Sequence, residues 1–283
     1  MAPILSPDRS AVDETQIANE RDALALSLAN LASRAGEVVM AIYEEGFTVE
    51  LKDDGSPLTR ADLAADALVA QGLQAIAPDI PVLSEETADS VPPESLGSRF
   101  FVVDPLDGTK EFVLHNGEFS INIALVEDGV PHVGVVYAPA HHTIWIGGSS
   151  AFAGQVVPGE TVTFDDLHPI KTCGKAHTPV KAVASRSHLD EKTDGFLKSI
   201  AADDMVQVGS ALKFCLVADG TADVYPRYSD TTMVWDTAAG VAVVQAAGGV
   251  VLDEAGDPMR VAFGPKGWRN GGFTAWGCEQ IKT

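Results

Sequence analysis

The sequence predicts a mixed α and β protein built as two lobes, and three features of its 283 residues predict it. Apolar positions recur at helical spacing near the N-terminus, and short unbroken apolar runs follow in the first half. After a stretch at 147–178 that is rich in Gly, Pro and polar residues, strand-like and helix-like segments alternate.

Residues 1–19 read as a loosely held arm. Leu24, Leu28, Leu31, Ala35, Val38 and Ile42 step by four and three, which places them on one face of a long helix that Gly46 stops. A second helix starts at Thr59, turns Leu63, Ala67 and Leu68 inward, and ends before Pro78. Phe100-Phe101-Val102-Val103 is a buried strand. The stretches 119–126 and 132–137, joined by Glu127-Asp128-Gly129, form a β-hairpin. Thr143–Ile146 is a further strand, and 147–178 connects the lobes. Beyond it, Lys181–Ala184 and Met205–Val208 read as strands, and Ala211–Ala218 and Asp236–Ala247 as helices. Gly248-Gly249 ends the last helix before a strand at Val250–Leu252. The lobes are expected to span residues 1–175 and 176–283.

Composition narrows the function classes. Forty acidic residues against 19 basic ones give a formal net charge of −21, which repels nucleic-acid polymers and anionic membranes. An anionic substrate would need a local reversal of sign, which bound divalent cations supply most directly. Cys173, Cys215 and Cys278 are far apart and odd in number, which argues against a disulfide framework and a thiolate zinc site. The polar, acidic N-terminus and the lack of a long apolar run lead to an expectation of a cytoplasmic protein without a membrane span.

The densest chemical signal is Asp104-Pro105-Leu106-Asp107-Gly108-Thr109, directly after a buried strand. Two carboxylates three residues apart, with Pro and Gly forcing a turn, can point at one spot together with the Leu106 carbonyl. Such hard oxygen ligands suit Mg²⁺ or Mn²⁺. The Gly108 and Thr109 amides then open a helical turn that can receive a phosphate oxygen. The same residues are also good turn chemistry. Glu85, Asp236 and Asp62 admit two readings as well. Glu85-Glu86 can be a solvated acidic turn, Asp236 a helix N-cap, and Asp62 the capping-box partner of Thr59. No Gly-x-Ser-x-Gly elbow and no Gly-x-x-x-x-Gly-Lys-Ser/Thr loop occurs, which removes two other classes.

Taken jointly, Glu85, the 104–109 segment and Trp235-Asp236-Thr237-Ala238-Ala239-Gly240 resemble the signature segments of the inositol monophosphatase-like superfamily of metal-dependent, lithium-sensitive phosphatases. Order and spacing agree from about residue 20 onward. Asp107–Phe112, Ser185-Arg186-Ser187-His188 and Ala222-Asp223-Val224-Tyr225-Pro226-Arg227 are similar to its 3'(2'),5'-bisphosphate nucleotidases of the CysQ type. The resemblance implies an α+β fold, a layered αβαβα sandwich of two lobes. It implies Glu85, Asp104, the Leu106 carbonyl, Asp107 and Asp236 as ligands of two or three Mg²⁺ ions, with Mn²⁺ as an alternative. Thr109, oriented by Asp62, would help activate the attacking water in an in-line displacement. Glu85, Asp107 and Asp236, together with Gly108, Thr109, His188, Ser210, Lys213 and Arg227, would contact substrate. The bland reading makes Lys213 and Arg227 solvated surface and His188 a surface or core residue.

The implied reaction is hydrolysis of adenosine 3',5'-bisphosphate to AMP, linked to sulfate assimilation. An inositol monophosphatase or a promiscuous sugar phosphatase is the alternative within the superfamily, and a non-catalytic phosphometabolite sensor the remote one. The expected partner is a small phosphorylated metabolite rather than a nucleic-acid polymer, and the chain a monomer or homodimer. Peripheral inner-membrane attachment rests on family analogy alone.

Overall fold

The computed structural model describes residues 14–51, 57–184 and 190–281. Helix α1 (Glu14–Glu45) leads into a small antiparallel pair, β1 (Val49–Leu51) and β2 (Pro57–Thr59), and then into α2 (Arg60–Ile76). Strands β3 (Val82–Ser84) and β4 (Arg99–Asp107) follow, and β4 runs into the short helix α3 (Thr109–Val113). Strands β5 (Ser120–Glu127), β6 (Val130–Ala138), β7 (Thr143–Gly147), β8 (Ala151–Gln155) and β9 (Leu167–Pro169) complete a seven-stranded sheet in chain order. Only its β3–β4 pair is parallel. The rest of the chain gives β10 (Lys181–Ala184), α4 (Glu191–Ser199), β11 (Asp204–Gln207), α5 (Leu212–Ala218) and β12 (Val224–Arg227). Then come α6 (Val234–Ala246), β13 (Val250–Asp253) and β14 (Phe273–Trp276). The second sheet has the order β11-β10-β12-β14-β13.

Strand alternation explains the layering, because successive side chains point to opposite faces. Phe101 and Val103 of β4 pack with Ile121, Ile123, Val135 and Tyr137 against α1 and α2. Phe100 and Val102, with Val126 and Val136, face the other way onto α5 and α6. In the second sheet Val183 and Tyr225 meet the same two helices. Ala182, Ala184 and Val224 instead pack against Leu197 and Ile200 at the end of α4. The order of layers is therefore helices, large sheet, helices, small sheet, helix, as the resemblance implies.

Helix α6 is apolar all round because both its faces are covered, and Val234 to Val244 are buried save Asp236. The large sheet meets it through glycines. A Cβ on Gly134 would stand 2.4 Å from the Ala239 carbonyl oxygen and 2.8 Å from Ala242 Cβ. Backbone cannot yield there, so Gly134→Val should cost on the order of 3 kcal/mol and lower the Tm by roughly 6–10 °C. Gly195→Ala is the control. Nothing lies within 4 Å of a Cβ in the middle of α4, so calorimetry should show no loss there. Equal behaviour of the two variants would refute this account of the contact.

Several expectations need correction. The N-terminal arm is helical from Glu14, because polar turns ahead of the packed face are held by contacts elsewhere. Asp22, for example, accepts from the Ser149 and Ser150 amides at 2.7 and 3.0 Å. The inward face of α2 is Ala61, Ala65, Val69 and Leu73; Leu63 and Ala67 are exposed and Leu68 is half-buried. This small-residue stripe, continued by Gly72 against Leu31, lets α1 approach closely. The segment 147–178 is not a plain connection, since β8 and β9 extend the large sheet within it. Helix α4 and strands β12 and β14 are further additions. The hairpin is tighter than expected, with Asp128 and Gly129 at φ 50° and 77° in a two-residue turn.

Helix α1 is also long and apolar enough to cross a bilayer by length and composition. Its apolar face, however, is buried against the large sheet and α2, which is the packing of a core helix.

Candidate active site

A cleft of about 820 Å³ opens where β4 ends, between the two sheets. Glu85, Asp104, Leu106, Asp107, Gly108, Thr109, Ser210, Lys213, Arg227 and Asp236 all line it. Carboxylate oxygens of Asp104, Asp107 and Asp236 lie within 4.8 Å of one another. Strand β4 delivers the first two: Asp104 lies in the ladder with β5, and the register then shifts before Asp107. Asp104 Oδ1 accepts the Leu106 amide at 3.0 Å, which curls the turn back on itself. Asp107 Oδ2 accepts the Ala211 amide at 2.6 Å and Asn122 Nδ2 at 3.3 Å. That first bond runs from the end of β4 to the start of α5, across the cleft. Asp236 sits in the first turn of α6, where its Oδ2 accepts the Met233 amide at 2.8 Å. Glu85 follows β3, its amide bonded to the Val103 carbonyl at 3.1 Å.

Crowding buried carboxylates has the expected electrostatic result. Burial, and then the charges of Glu85, Asp107 and Asp236, push Asp104 well above the ordinary carboxylate range. Burial raises Asp107 to about 6, against the opposing pull of Lys213 and the Ala211 and Asn122 hydrogen bonds. Burial and the Asp107 charge raise Asp236 to about 8.

The sign of the linkage follows. Between the ordinary carboxylate pKa near ~4 and about 8, the folded state holds protons that the unfolded chain has released. This contribution to stability is fully present below that window and is lost as pH rises through it. A divalent cation would replace those protons. The Tm difference between Mg²⁺ and EDTA should therefore be larger at pH 8 than at pH 5.5, as scanning calorimetry would measure. A difference independent of pH would contradict the electrostatic account.

Asp62 is held by two roles at once. Its Oδ2 accepts from the Thr59 amide and hydroxyl, both at 2.7 Å, closing a capping box on α2. Its Oδ1 receives the Thr109 hydroxyl at 3.3 Å, while the Leu106 carbonyl is 3.2 Å from the same hydroxyl. Gly108 precedes Thr109 with φ 89°, a left-handed turn that a side chain would strain.

The cationic side of the cleft is buried as well. Lys213 is 6% exposed and Arg227 8%. Burial lowers Lys213 to about 8, despite the nearby Asp107 charge. Its ammonium donates to the Ser210 and Val208 carbonyls, pinning the turn that carries Ser210 at φ 47°. Arg227 Nη2 donates to Thr231 Oγ1 at 2.6 Å. Two buried polar atoms here have no partner among the described residues, Ser210 Oγ and Arg227 Nε. Such orphans are costly, and a bound polar ligand would satisfy them. His188 lies outside the described residues.

The sequence profile of the inositol monophosphatase family matches residues 20–275. The chain belongs to the inositol monophosphatase family. It is 42% identical over 231 residues to the 3'(2'),5'-bisphosphate nucleotidase CysQ of Shigella flexneri, covering 81% of this chain and 90% of that protein. It is 39% identical to the CysQ of Buchnera aphidicola subsp. Acyrthosiphon pisum over 251 residues, 88% of this chain and 91% of that one. Among solved structures, CysQ from Bacteroides thetaiotaomicron aligns with a TM-score of 0.76 at 35% identity, over 90% of this chain and 97% of that one. An inositol monophosphatase from Anabaena (Nostoc) sp. PCC 7120, at 22% identity and a TM-score of 0.68 over 92% of each chain, shares the fold.

The inositol monophosphatase family is metal-dependent, and the donor set of this member fits a hard divalent cation. Its three close carboxylates are raised in pKa first by burial and then by neighbouring acidic charge, which an ion would relieve. Sequence reasoning missed Asn122 and the Ala211 amide, which fix Asp107, and Thr231, which holds Arg227. Asn122 left a readable trace, a polar residue inside the apolar strand Ser-Ile-Asn-Ile-Ala-Leu-Val-Glu. The Ala211 amide left none.

Proposed function

We propose that this family member is a Mg²⁺-dependent 3'(2'),5'-bisphosphate nucleotidase, converting adenosine 3',5'-bisphosphate to AMP and phosphate in support of sulfate assimilation. One observation carries the choice. Two buried cationic side chains, Lys213 and Arg227, line the same cleft as the carboxylate cluster. A polyol monophosphate offers no second anion for them, whereas a bisphosphate does. The orphaned Arg227 Nε and Ser210 Oγ are donors of the kind that phosphate oxygens accept from. The CysQ relatives carry this activity in their names, at 39–42% identity over most of the chain.

Glu85, Asp104, Asp107, Asp236 and the Leu106 carbonyl would hold the cations. When bound there, divalent cations supply charge neutralisation and a lowered pKa for the attacking water. Thr109 has one hydroxyl proton, directed to Asp62 or the Leu106 carbonyl, and lone pairs left to accept from that water and orient it. Asp62 is fixed by the capping box and therefore orients Thr109 in turn. The Gly108 and Thr109 amides would receive a non-bridging phosphoryl oxygen. Lys213, Arg227, Ser210 and His188 would contact the phosphate that is not cleaved and the nucleoside. The same reading divides the chain into lobes at residue 175, a position that falls between the last strand of one sheet and the first of the other.

The test is phosphate release from adenosine 3',5'-bisphosphate and from inositol 1-phosphate, each with Mg²⁺, with EDTA and with Li⁺. Mg²⁺-dependent release from the bisphosphate, with little from inositol phosphate, is the expected result. Preference for inositol phosphate would overturn the substrate assignment and leave the metal site standing.

A further inference from the structure

Away from the cleft, the described residues gather a second set of metal-type ligands. Cys173 Sγ, Cys278 Sγ and an Asp223 carboxylate oxygen all lie within 4.8 Å of one another. Spacing along the chain gives no hint of this, because the two cysteines are brought together only by tertiary structure. Gly174 forms an isolated parallel bridge with Cys278, its amide donating to the Gly277 carbonyl at 2.8 Å.

Asp223 is wholly buried and rigidly oriented. Its Oδ2 accepts the Lys181 amide at 2.7 Å. Its Oδ1 accepts the His177 amide at 3.0 Å, meets His177 Nδ1 at 2.8 Å, and receives the Cys173 thiol at 3.2 Å. Burial acts to raise its pKa, yet these donors outweigh burial and keep the carboxylate ionised below its ordinary value. Burial and the Asp223 charge push the Cys173 thiol up to about 12 and the Cys278 thiol up to about 11. Two thiols and a carboxylate thus stand together, with the His177 ring against the carboxylate.

Ligand chemistry selects the ion. Two sulfurs with one carboxylate suit zinc and disfavour Mg²⁺. Ligands at ~2.0–2.3 Å from a tetrahedral ion stand roughly 3.5 Å apart, so small side-chain rotations close the observed set around one ion. Cys173 is half-buried and the His177 side chain is 35% exposed, which leaves an entry path and a position for water.

We propose that Cys173, Cys278 and Asp223 form a zinc site that fastens the segment after β9 to the end of β14. His177 is a positioning residue for Asp223. Binding breaks two S–H bonds, releases two protons to solvent and forms two Zn–S bonds, with no change of oxidation state. The site is separate from the phosphatase reading and stands or falls without it.

The test uses the reduced, EDTA-treated full chain in excess Mg²⁺, titrated with cobalt(II) as a spectroscopic stand-in for zinc. One equivalent should produce sulfur-to-cobalt charge-transfer absorption in the near ultraviolet, which a carboxylate site cannot give, and one equivalent of Zn²⁺ should remove it. Cys215→Ala, which alters the third cysteine, should keep the band. Cys173→Ser and Cys278→Ser, checked for fold by circular dichroism, should lose it, and Zn²⁺ should raise the Tm of the parent chain but not theirs. No band in the folded, reduced parent chain would overturn the proposal. So would a band that survives both serine variants, or thiol counting that finds Cys173 and Cys278 joined as a disulfide under reductant. If the serine variants do not fold, the parent chain and Cys215→Ala still decide by presence or absence of the band.

Discussion

Asp107→Asn will lower kcat/KM at least about a thousandfold on every phosphate ester while the protein stays folded. Asp107 has two jobs that an amide cannot do together. One oxygen takes the Ala211 amide at 2.6 Å and Asn122 at 3.3 Å, and the carboxylate also faces Asp104 and Asp236 across less than 4.8 Å. In the variant, the Asn oxygen can keep the Ala211 bond, which preserves the link between β4 and α5. The NH₂ group then faces the proposed metal position and repels a cation. Flipping the amide restores an oxygen to the metal side and sets NH₂ against the Ala211 N–H. Removing a negative charge from the cluster also relieves repulsion, so the Tm in EDTA should hold or rise. Steady-state kinetics at saturating Mg²⁺ and a melting curve together check this. Activity above a few per cent of the parent enzyme would count decisively against Asp107 as a metal ligand.

Arg227→Ala should separate the two substrates. Loss of a charge-assisted, buried contact is worth ~3 kcal/mol, or roughly a hundredfold in kcat/KM, for the bisphosphate. Inositol 1-phosphate, with no second anion, should lose no more than about threefold by the same arithmetic. A complication is built into the site. The Arg227 charge also opposes the rise in the Asp236 pKa, so its removal would weaken the proposed metal site for both substrates. Saturating Mg²⁺ removes that shared component. Arg227→Lys should recover only part of the loss, because an ammonium cannot reproduce the guanidinium fork. Equal losses on both substrates at saturating Mg²⁺ would take Arg227 out of specificity.

Much of the candidate site was legible because its parts are local. Asp104, Leu106, Asp107, Gly108 and Thr109 fall in six consecutive residues, and one turn after one strand suffices to aim them. Glu85 and Asp236 came from the resemblance, since nothing local distinguishes a metal ligand from an acidic turn or a helix start. Asp62 shows why such alternatives can coexist, with one oxygen capping α2 and the other receiving Thr109. Contacts between distant segments left little trace. The Ala211 amide on Asp107 spans 104 residues, and the approach of Cys173 to Cys278 depends on an isolated bridge beyond the end of β14. Among elements, α6 and β4 were legible from sustained apolar runs. Helix α4 was not, because Glu-Lys-Thr-Asp-Gly-Phe-Leu-Lys-Ser is polar, carries a central glycine and buries only Thr193 and Leu197. Strands β12 and β14 are four residues long and buried throughout, so they show no alternation to read.

The position of α6 bears on how this protein can diversify. The helix that presents Asp236 has a sheet against each side, with Gly240 pressed on the Phe214 ring and Gly134 on its backbone. Almost any change of side-chain volume along it is felt by both sheets and transmitted to the carboxylate at its tip. Thr231, which holds Arg227, is exposed in a loop at the rim, where a new side chain meets fewer neighbours. Selection for a different phosphate ester would therefore find its accessible mutations at the rim, and a deep mutational scan should show α6 nearly closed to variation while the rim tolerates exchange.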